Sequence, residues 1–488
     1  MSQEGGGSEV KKVADWKVAY IIGLSGTILV TGVAGPMVGA IGTWGVIVLA
    51  VTVVCGVIYC LMLAELAAMF PEKVGGLPTY AVEGFRDKKW AKALGALTNW
   101  SYFWGWSPVI AVNASIMAIY AAVLGGFYDR FFSGLLPIWP DGYLYLLLFT
   151  AGITGVLFAI NYYGLTPGYW SCLVFAVLSL APLLFICFAP LVFGVINWGN
   201  IFPINAGMVE VRTVMDWLLY VFPWFFISTW NALAMEASAC YIGECKDPAR
   251  DAPRAMTAAA ITGLIVYVLT PLSLLGVLGA ASIASDPWAS FIKVTEIWAG
   301  PIAPYIVGVL LFAALLLSTT NALIGCARSL YQSSVEGQII RWLGKLNKYG
   351  SPARAMLVGY ILNVFLVLIV AGLPTLVYVA SNVGYLFSFI PTGLAYIRLK
   401  RGYKGMPERP RPYSLPKAML PVVAAIIAFF VFIFCVGGPL SAYAVYTITG
   451  PEVPPIIYWI LGVVFLLIGL PLYIVRARQD RKMAESRG

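Results

Sequence analysis

Residues 224–254 read WFFISTWNALAMEASACYIGECKDPARDAPR. The first two-thirds of this stretch is apolar and long enough to lie in a bilayer. It nevertheless carries Asn231 and Glu236 near its middle, and it ends in a polar turn containing Pro248. A carboxylate at membrane depth costs about 2.5–3.5 kcal/mol on insertion scales, and it is retained where it faces a bundle interior or a water-filled cavity. The segment therefore reads as one wall of a path for a small polar solute.

The remainder of the chain has the composition such a wall requires. Its 488 residues are 60% hydrophobic and 11% charged, with a mean hydropathy of +0.86. A soluble fold has too little interior to hide that much apolar surface. Apolar runs of about 20 residues recur, the length a helix needs to cross a bilayer. The alternating segments of about 10 residues that build a β-barrel do not. The chain reads as an all-α polytopic membrane protein. It has eight Cys and no His. With no CxxC pair and no imidazole, no zinc site is expected, and the cysteines, most of them in or beside apolar runs, read as inert buried thiols. No nucleophile–base pair or metal cluster of an enzyme is visible, and no cofactor is expected. The N-terminal MSQEGGGSEVKK lacks the parts of a cleaved signal peptide, so the first apolar run is expected to serve as an uncleaved anchor.

About twelve spans are expected, at 17–40, 42–70, 93–124, 143–163, 168–196, 214–243, 255–280, 302–333, 354–372, 374–398, 418–438 and 455–475. With the N-terminus on the cytoplasmic side, all of the 31 Lys and Arg except Arg130, Arg212 and Lys293 fall inside. That is the positive-inside pattern. The formal charge of +9 is then a record of topology rather than a footprint for nucleic acid. The expectation is a multi-pass protein of the cell membrane, in contact with the lipid bilayer, with both termini cytoplasmic.

Span 1 holds Gly23, Ser25, Gly26, Gly32, Gly35, Pro36 and Gly39. Two readings stand: close helix packing through small residues, or a discontinuous helix near Ser25–Gly26, which is tolerated only inside protein or at a cavity. Span 2 ends in LAELAAMFPEKVGGLPTY (63–80), with Glu65 as a structural charge near the interface and Gly75–Gly76–Leu77–Pro78 as a turn. Span 3 carries WSYFWGWSP (100–108), an aromatic-rich helix broken near Pro108. In span 8, Ser318, Thr319, Thr320 and Asn321 are consecutive; they read either as interhelical glue or as cation ligands. The basic, Pro-rich 398–416 reads as a solvated connector.

Four stretches together make the chain resemble the amino acid–polyamine–organocation (APC) permease family. After span 2 come Glu65, Phe70–Pro71, Gly75–Gly76 and Tyr80. At the end of span 6 come Glu244, Pro248, Arg250, Pro253 and Arg254, with Asp247 in place of the family's Asn. Span 8 has Gly325, Arg328, Tyr331 and the pair Glu336–Gly337, and span 10 is followed by Arg411, Pro412 and Tyr413. The resemblance, over about residues 17–420, implies a leucine-transporter-like (LeuT-like) fold with a 5+5 inverted repeat. Residues 1–16 would form a tail, 17–196 the first repeat (spans 1–5), 197–400 the second (spans 6–10), and 401–488 spans 11 and 12 with the C-terminal tail. Spans 1 and 6 would be interrupted near the midplane and hold the substrate between them.

The resemblance implies a secondary transporter of amino acids working by alternating access, with a polyamine or organic-cation permease, or an amino acid exchanger, as the alternative. A non-transporting nutrient sensor on the same scaffold is the further alternative. Neutral or cationic cargo is favoured over anionic, because Glu236 is the mid-membrane charge. The family's Gly-Ser-Gly signature falls on Ser25 and Gly26, with Leu24 replacing its first Gly, and Thr27 follows. The aromatic gate of span 6 falls on Trp230, beside Asn231. The acidic position falls on Glu236, and Ala234 stands where a Gly is usual. The substrate set is then Ser25, Gly26, Thr27, Trp230, Asn231 and Ala234. Trp230 as a packing aromatic, and Glu236 as a structural interhelix partner, stand as the plainer readings. For coupling, some proton-coupled members carry a Lys in span 5 where this chain has Ser179. The coupling ion is sodium or a proton, or exchange replaces it: sodium would use span-1 carbonyls with Ser318 and Thr319, and a proton would use Glu236.

Overall fold

In a computed structural model, described over residues 11–126, 140–287, 289–370, 374–406, 408–441, 444 and 456–486, every regular element is helical. One isolated bridge, Ala14 with Cys245, is the only strand-like pairing among the described residues. Among the described residues, ten helical segments are long and apolar enough to cross a membrane. Two more helices, Ala353–Val370 and Pro374–Arg401, stand where spans 9 and 10 are expected. The expected end of span 9, the start of span 12 and Arg130 lie outside the described residues.

Burial sorts the spans. The apolar stretch of Val214–Glu244 is 83% buried, that of Trp16–Ile41 78% and that of Ala91–Ala122 72%, against 22% for Gly142–Tyr162 and for Ile456–Glu485. Spans 1, 3 and 6 are therefore central, and spans 4 and 12 form the periphery. The ends of the central helices are fixed locally. Asp15 caps span 1 by accepting from the Lys17 and Val18 amides at 2.9 and 3.2 Å. Thr213 and Asp216 form a reciprocal capping box at the start of span 6, at 3.1 and 2.8 Å. Asp247 caps span 7 by accepting from the Arg250 amide at 3.3 Å, with Pro248 in the first turn. Asp and Asn cap equally well, so Asp247 in place of Asn costs the motif nothing.

Span 1 differs from expectation in where it loosens. The α-helix runs through Ser25 and Gly26 to Thr27, gives way to a 3-10 turn over Ile28–Gly32, and resumes as Ala34–Ile41. The glycines before the break serve packing. A Cβ on Gly23 would lie 1.9 Å from Ser238 Oγ, and one on Gly26 2.3 Å from Ala234 Cβ. Span 6 also changes character halfway: Pro223–Ala232 is α-helical and Ala234–Glu244 is 3-10. Span 3 breaks as expected, between Trp106 and Val109. Asn363 of span 9 heals that break, donating to Ser107 Oγ at 2.8 Å and accepting from the Ala111 amide at 3.2 Å.

The end of the bundle that carries most of the basic residues is held by buried ion pairs. Glu65 accepts from Lys400 Nζ and Arg411 Nη1, both at 2.7 Å, and from the Leu415 amide at 2.9 Å. The segment 398–416 is thus anchored to span 2 rather than only solvated. Gly75 and Gly76 have φ of +87° and +66°. They let the turn after span 2 wedge between spans 6 and 8, where the Gly75 amide donates to Cys240 O at 3.1 Å and a Cβ on Gly75 would lie 2.5 Å from Ser329 Cα. Lys73 in the same turn pairs with Glu83 at 2.6 Å and Glu336 at 2.5 Å.

Candidate functional site

The two irregular helices meet. Gly26 and Ala234 sit at their crossing, and side chains from two directions reach the loosened turn of span 1. Asn231 Nδ2 donates to Leu29 O at 3.1 Å, and Tyr267 of span 7 donates its hydroxyl to Gly26 O at 3.0 Å. Around them are buried polar atoms without any hydrogen-bond partner: Ser25 Oγ, Thr27 Oγ1, Asn231 Oδ1 and Ser238 Oγ. An unsatisfied buried donor or acceptor costs about 1–3 kcal/mol, and most buried polar groups are paired. Several are gathered at this one helix crossing.

Trp230 stands beside this crossing, 7% exposed. Its Nε1 donates to Gly105 O of span 3 at 3.1 Å, and its ring meets Tyr378 of span 10 edge-on at 4.3 Å. Glu236, 1% exposed, accepts from Tyr102 OH at 3.2 Å, Trp106 Nε1 at 3.1 Å and Tyr385 OH at 3.0 Å. The carboxylate therefore joins spans 3, 6 and 10.

The polar run of span 8 is divided. Ser318 Oγ is buried without a partner. Thr319 Oγ1 accepts from Asn113 Nδ2 of span 3 at 3.4 Å, Thr320 returns to its own helix at Leu316 O, 2.8 Å away, and Asn321 Oδ1 accepts from Tyr241 OH at 2.5 Å. Ser179 donates to Phe175 O of its own helix at 2.6 Å. Its hydroxyl donates within its own helix. Ser25, Gly26, Thr27, Trp230, Asn231, Ala234 and Glu236 are brought together on spans 1 and 6.

Residue-by-residue reading missed Tyr102, Trp106, Tyr267, Tyr378 and Tyr385. The signal for the first two was available: they are spaced i, i+4 in the aromatic stretch of span 3 and so share a face. Tyr378, Asn382 and Tyr385 fall on one face of span 10 by the same rule, and Asn382 Nδ2 donates to Phe226 O at 2.5 Å.

A bundle of apolar helices around a polar crossing of two interrupted ones defines a polytopic membrane transport protein. The chain belongs to the amino acid permease family, whose profile matches residues 15–474, and it is a permease rather than an enzyme. It is 26% identical over 407 residues to a polyamine transporter of Oryza sativa subsp. japonica, PUT1, covering 81% of this chain and 67% of that one. It is 25% identical over 431 residues to an uncharacterized transporter of Legionella pneumophila, covering 85% of each. It is also 21% identical over 349 residues to a D-serine/D-alanine/glycine transporter of Escherichia coli K12, covering 70% of each.

Proposed function

We infer that the chain is a secondary active transporter that carries an amino acid across the cell membrane by alternating access, on the leucine-transporter-like plan. Spans 1–5 and 6–10 are then inverted repeats, and the irregular helices are the first of each. The observation that carries this reading is the group of unpartnered polar atoms at the crossing, Ser25 Oγ, Thr27 Oγ1, Asn231 Oδ1 and Ser238 Oγ.

The chemistry follows from helix ends. The segment Ala34–Ile41 starts just past the loosened turn, so its positive end suits the cargo's carboxylate. The helix Pro223–Ala232 ends at the crossing, where the carbonyls of its last turn suit an ammonium group. Trp230 is the gate. To swing, its ring gives up one hydrogen bond of about 0.5–1.5 kcal/mol and one edge contact of about 0.5–1.5 kcal/mol. That is small enough for thermal motion to supply and large enough to favour the closed position.

For coupling, the hydroxyl of Ser318 suits sodium best among the span-8 groups, and Thr319 must first leave Asn113. Glu236 is the proton route, and exchange is the third. The distribution of Lys and Arg supports cytoplasmic termini. A polyamine permease is the second reading, favoured by Glu236, whose hydrogen-bond donors are all neutral. The test is uptake into proteoliposomes of a panel of amino acids and amines, under a Na+ gradient, a pH gradient or preloaded cargo. Saturable uptake of at least one α-amino acid is expected. Uptake of amines with none of any amino acid transfers the assignment to the second reading, and no uptake of either class removes both.

A further inference from the structure

Span 12 carries an outward stripe that changes chemistry along its length. Ile460, Val464, Leu467 and Ile474 are 45–54% exposed, and their spacing puts them on one helix face. Arg478, Arg481 and Lys482 continue that face four, seven and eight residues beyond Ile474, and all three are exposed. The helix Gly469–Glu485 runs unbroken through the change from apolar to basic. The cations therefore stand at the edge of the bilayer, where a long basic side chain lays its stem on apolar surface and its head among the lipid headgroups.

The opposite face anchors this helix to the exit of span 8. Buried Arg476 donates to Ser334 O at 2.7 Å and to Ile339 O at 2.9 Å. Asp480 accepts from Arg476 at 2.8 Å and from Arg341 at 2.6 Å, and Gln479 Oε1 accepts from the Arg341 amide at 3.2 Å. The ion pairs of the helix are those two of Asp480; among the described residues Arg478, Arg481 and Lys482 have none, although Glu485 follows them. A second element adds to the patch. A Cβ on Gly337 would lie 3.4 Å from both Arg476 Nη2 and Lys92 Nζ, so the start of span 3 runs beside the helix. Lys92 is exposed, and Trp90, two residues before it, is 50% exposed. An exposed Trp at the end of a span is the side chain that settles at the headgroup level.

We propose that Arg478, Arg481 and Lys482, with Lys92 and Trp90 beside them, dock the phosphate of an anionic phospholipid whose acyl chains lie along the apolar stripe of span 12. Charge and position together choose this occupant. The patch lies where an apolar stripe meets water, so it fits a partner that offers a phosphate and a hydrocarbon chain in one molecule. Each basic side chain near an anionic membrane surface contributes about a fivefold preference. The three on span 12 set a ceiling on the order of a hundredfold. The site stands or falls independently of the cargo reading, since it shares no residue with the span 1–span 6 crossing.

The test is a mass-resolved titration of single lipid molecules onto the full-length, detergent-solubilised protein. The probes are phosphatidylglycerol and phosphatidylcholine with the same acyl chains. The first phosphatidylglycerol is expected to bind at least tenfold more tightly than the first phosphatidylcholine. Arg478→Gln with Arg481→Gln and Lys482→Gln should bring that ratio to within threefold of one. Lys345→Gln with Lys348→Gln and Lys404→Gln removes as many exposed cations from the loops at the same end and should leave the ratio as in the wild type. An equal fall in both triple variants would assign the preference to overall charge and overturn the site. A wild-type ratio near one, or a ratio that survives the span 12 substitutions, also overturns it, and the wild-type ratio decides even where a variant does not fold. Glycerol 3-phosphate, the headgroup phosphate without chains, should not displace bound phosphatidylglycerol at a hundredfold excess; displacement would make the ligand a free phosphate and refute the lipid.

Discussion

The close approach of Gly26 to span 6 is readily perturbed. A Cβ added to Gly26 would lie 2.3 Å from Ala234 Cβ, 2.4 Å from Ala234 O and 2.6 Å from Ala234 C. Carbon contacts are comfortable at about 3.5–4.0 Å, so Gly26→Ala must push span 6 away by about 1 Å. Overpacking costs about 1–3 kcal/mol. Here two of the three neighbours are main chain and cannot rotate aside, so the upper end applies. About 3 kcal/mol is on the order of a hundredfold in an equilibrium constant. The same displacement strains the Asn231–Leu29 and Tyr267–Gly26 hydrogen bonds. The assay is the fraction of detergent-solubilised protein still monodisperse after a heat step, together with cargo affinity in proteoliposomes. Gly26→Ala should lower the midpoint and weaken cargo binding at least tenfold. Adding Ala234→Gly removes the methyl contact but not the carbonyl one, so it should recover no more than about half of the lost stability. Gly32, with nothing within 4 Å of its added Cβ, is the control: Gly32→Ala should be neutral, or stabilising by about 0.4–1 kcal/mol. A Gly26→Ala chain that melts and binds like the wild type would refute the close crossing and the site built on it.

Trp230→Ala should leave the protein folded and cut uptake more than tenfold. Trp230→Phe keeps the ring against Tyr378 but loses the bond to Gly105 O, so it should cost less; wild-type kinetics in Trp230→Ala would remove it from the gate. A Na+ gradient should stimulate uptake, and Ser318→Ala with Thr319→Ala should abolish that stimulation. Uptake indifferent to Na+ would eliminate the sodium route. The Lys73 cluster sets a pH window for stability. Burial works against the charge on Lys73, but Glu336 and Glu83 outweigh it and hold its pKa above the ordinary 10.5. Burial likewise opposes the Glu83 charge, and Lys73 and Arg86 outweigh it, holding the carboxyl below 4.5. Lys73 therefore contributes fully below pH 10.5 and is lost as pH rises through its raised value. Glu83 contributes fully above pH 4.5 and is lost as pH falls through its depressed one. Heat stability contributed by this cluster should be flat between those limits. Lys73→Met removes one of the two cations that face buried Glu83 and leaves Arg86 in place, so it should destabilise by less than the ~3–5 kcal/mol of a buried charge left wholly unpaired. A melting profile unchanged by Lys73→Met would show the pair to be dispensable.

The spans were legible because hydropathy and the placement of Lys and Arg are properties of the chain taken one residue at a time. The break in span 1 was legible only to within a turn. Gly23 and Gly26 look the same in sequence whether they interrupt a helix or admit a neighbour, and the neighbours, Ser238 and Ala234, lie far along the chain. Glu236 announced itself as a lone carboxylate in an apolar run. Its donors did not, because a phenol or indole in a membrane helix is equally at home at the lipid interface, and only the spacing of Tyr102 and Trp106 hinted at a shared face. The run 318–321 shows why adjacency misleads. Consecutive residues on a helix turn about 100° from one another, so Thr319 meets span 3, Asn321 meets span 6 and Thr320 folds back on span 8. Three of the four polar neighbours are thereby dispersed among three surroundings, and Ser318 is left as the one hydroxyl of the run without a partner. A cation held there must draw its other ligands from span 1 or from a Thr319 released by Asn113. That is why the double substitution, and not Ser318→Ala alone, is the decisive test of sodium coupling.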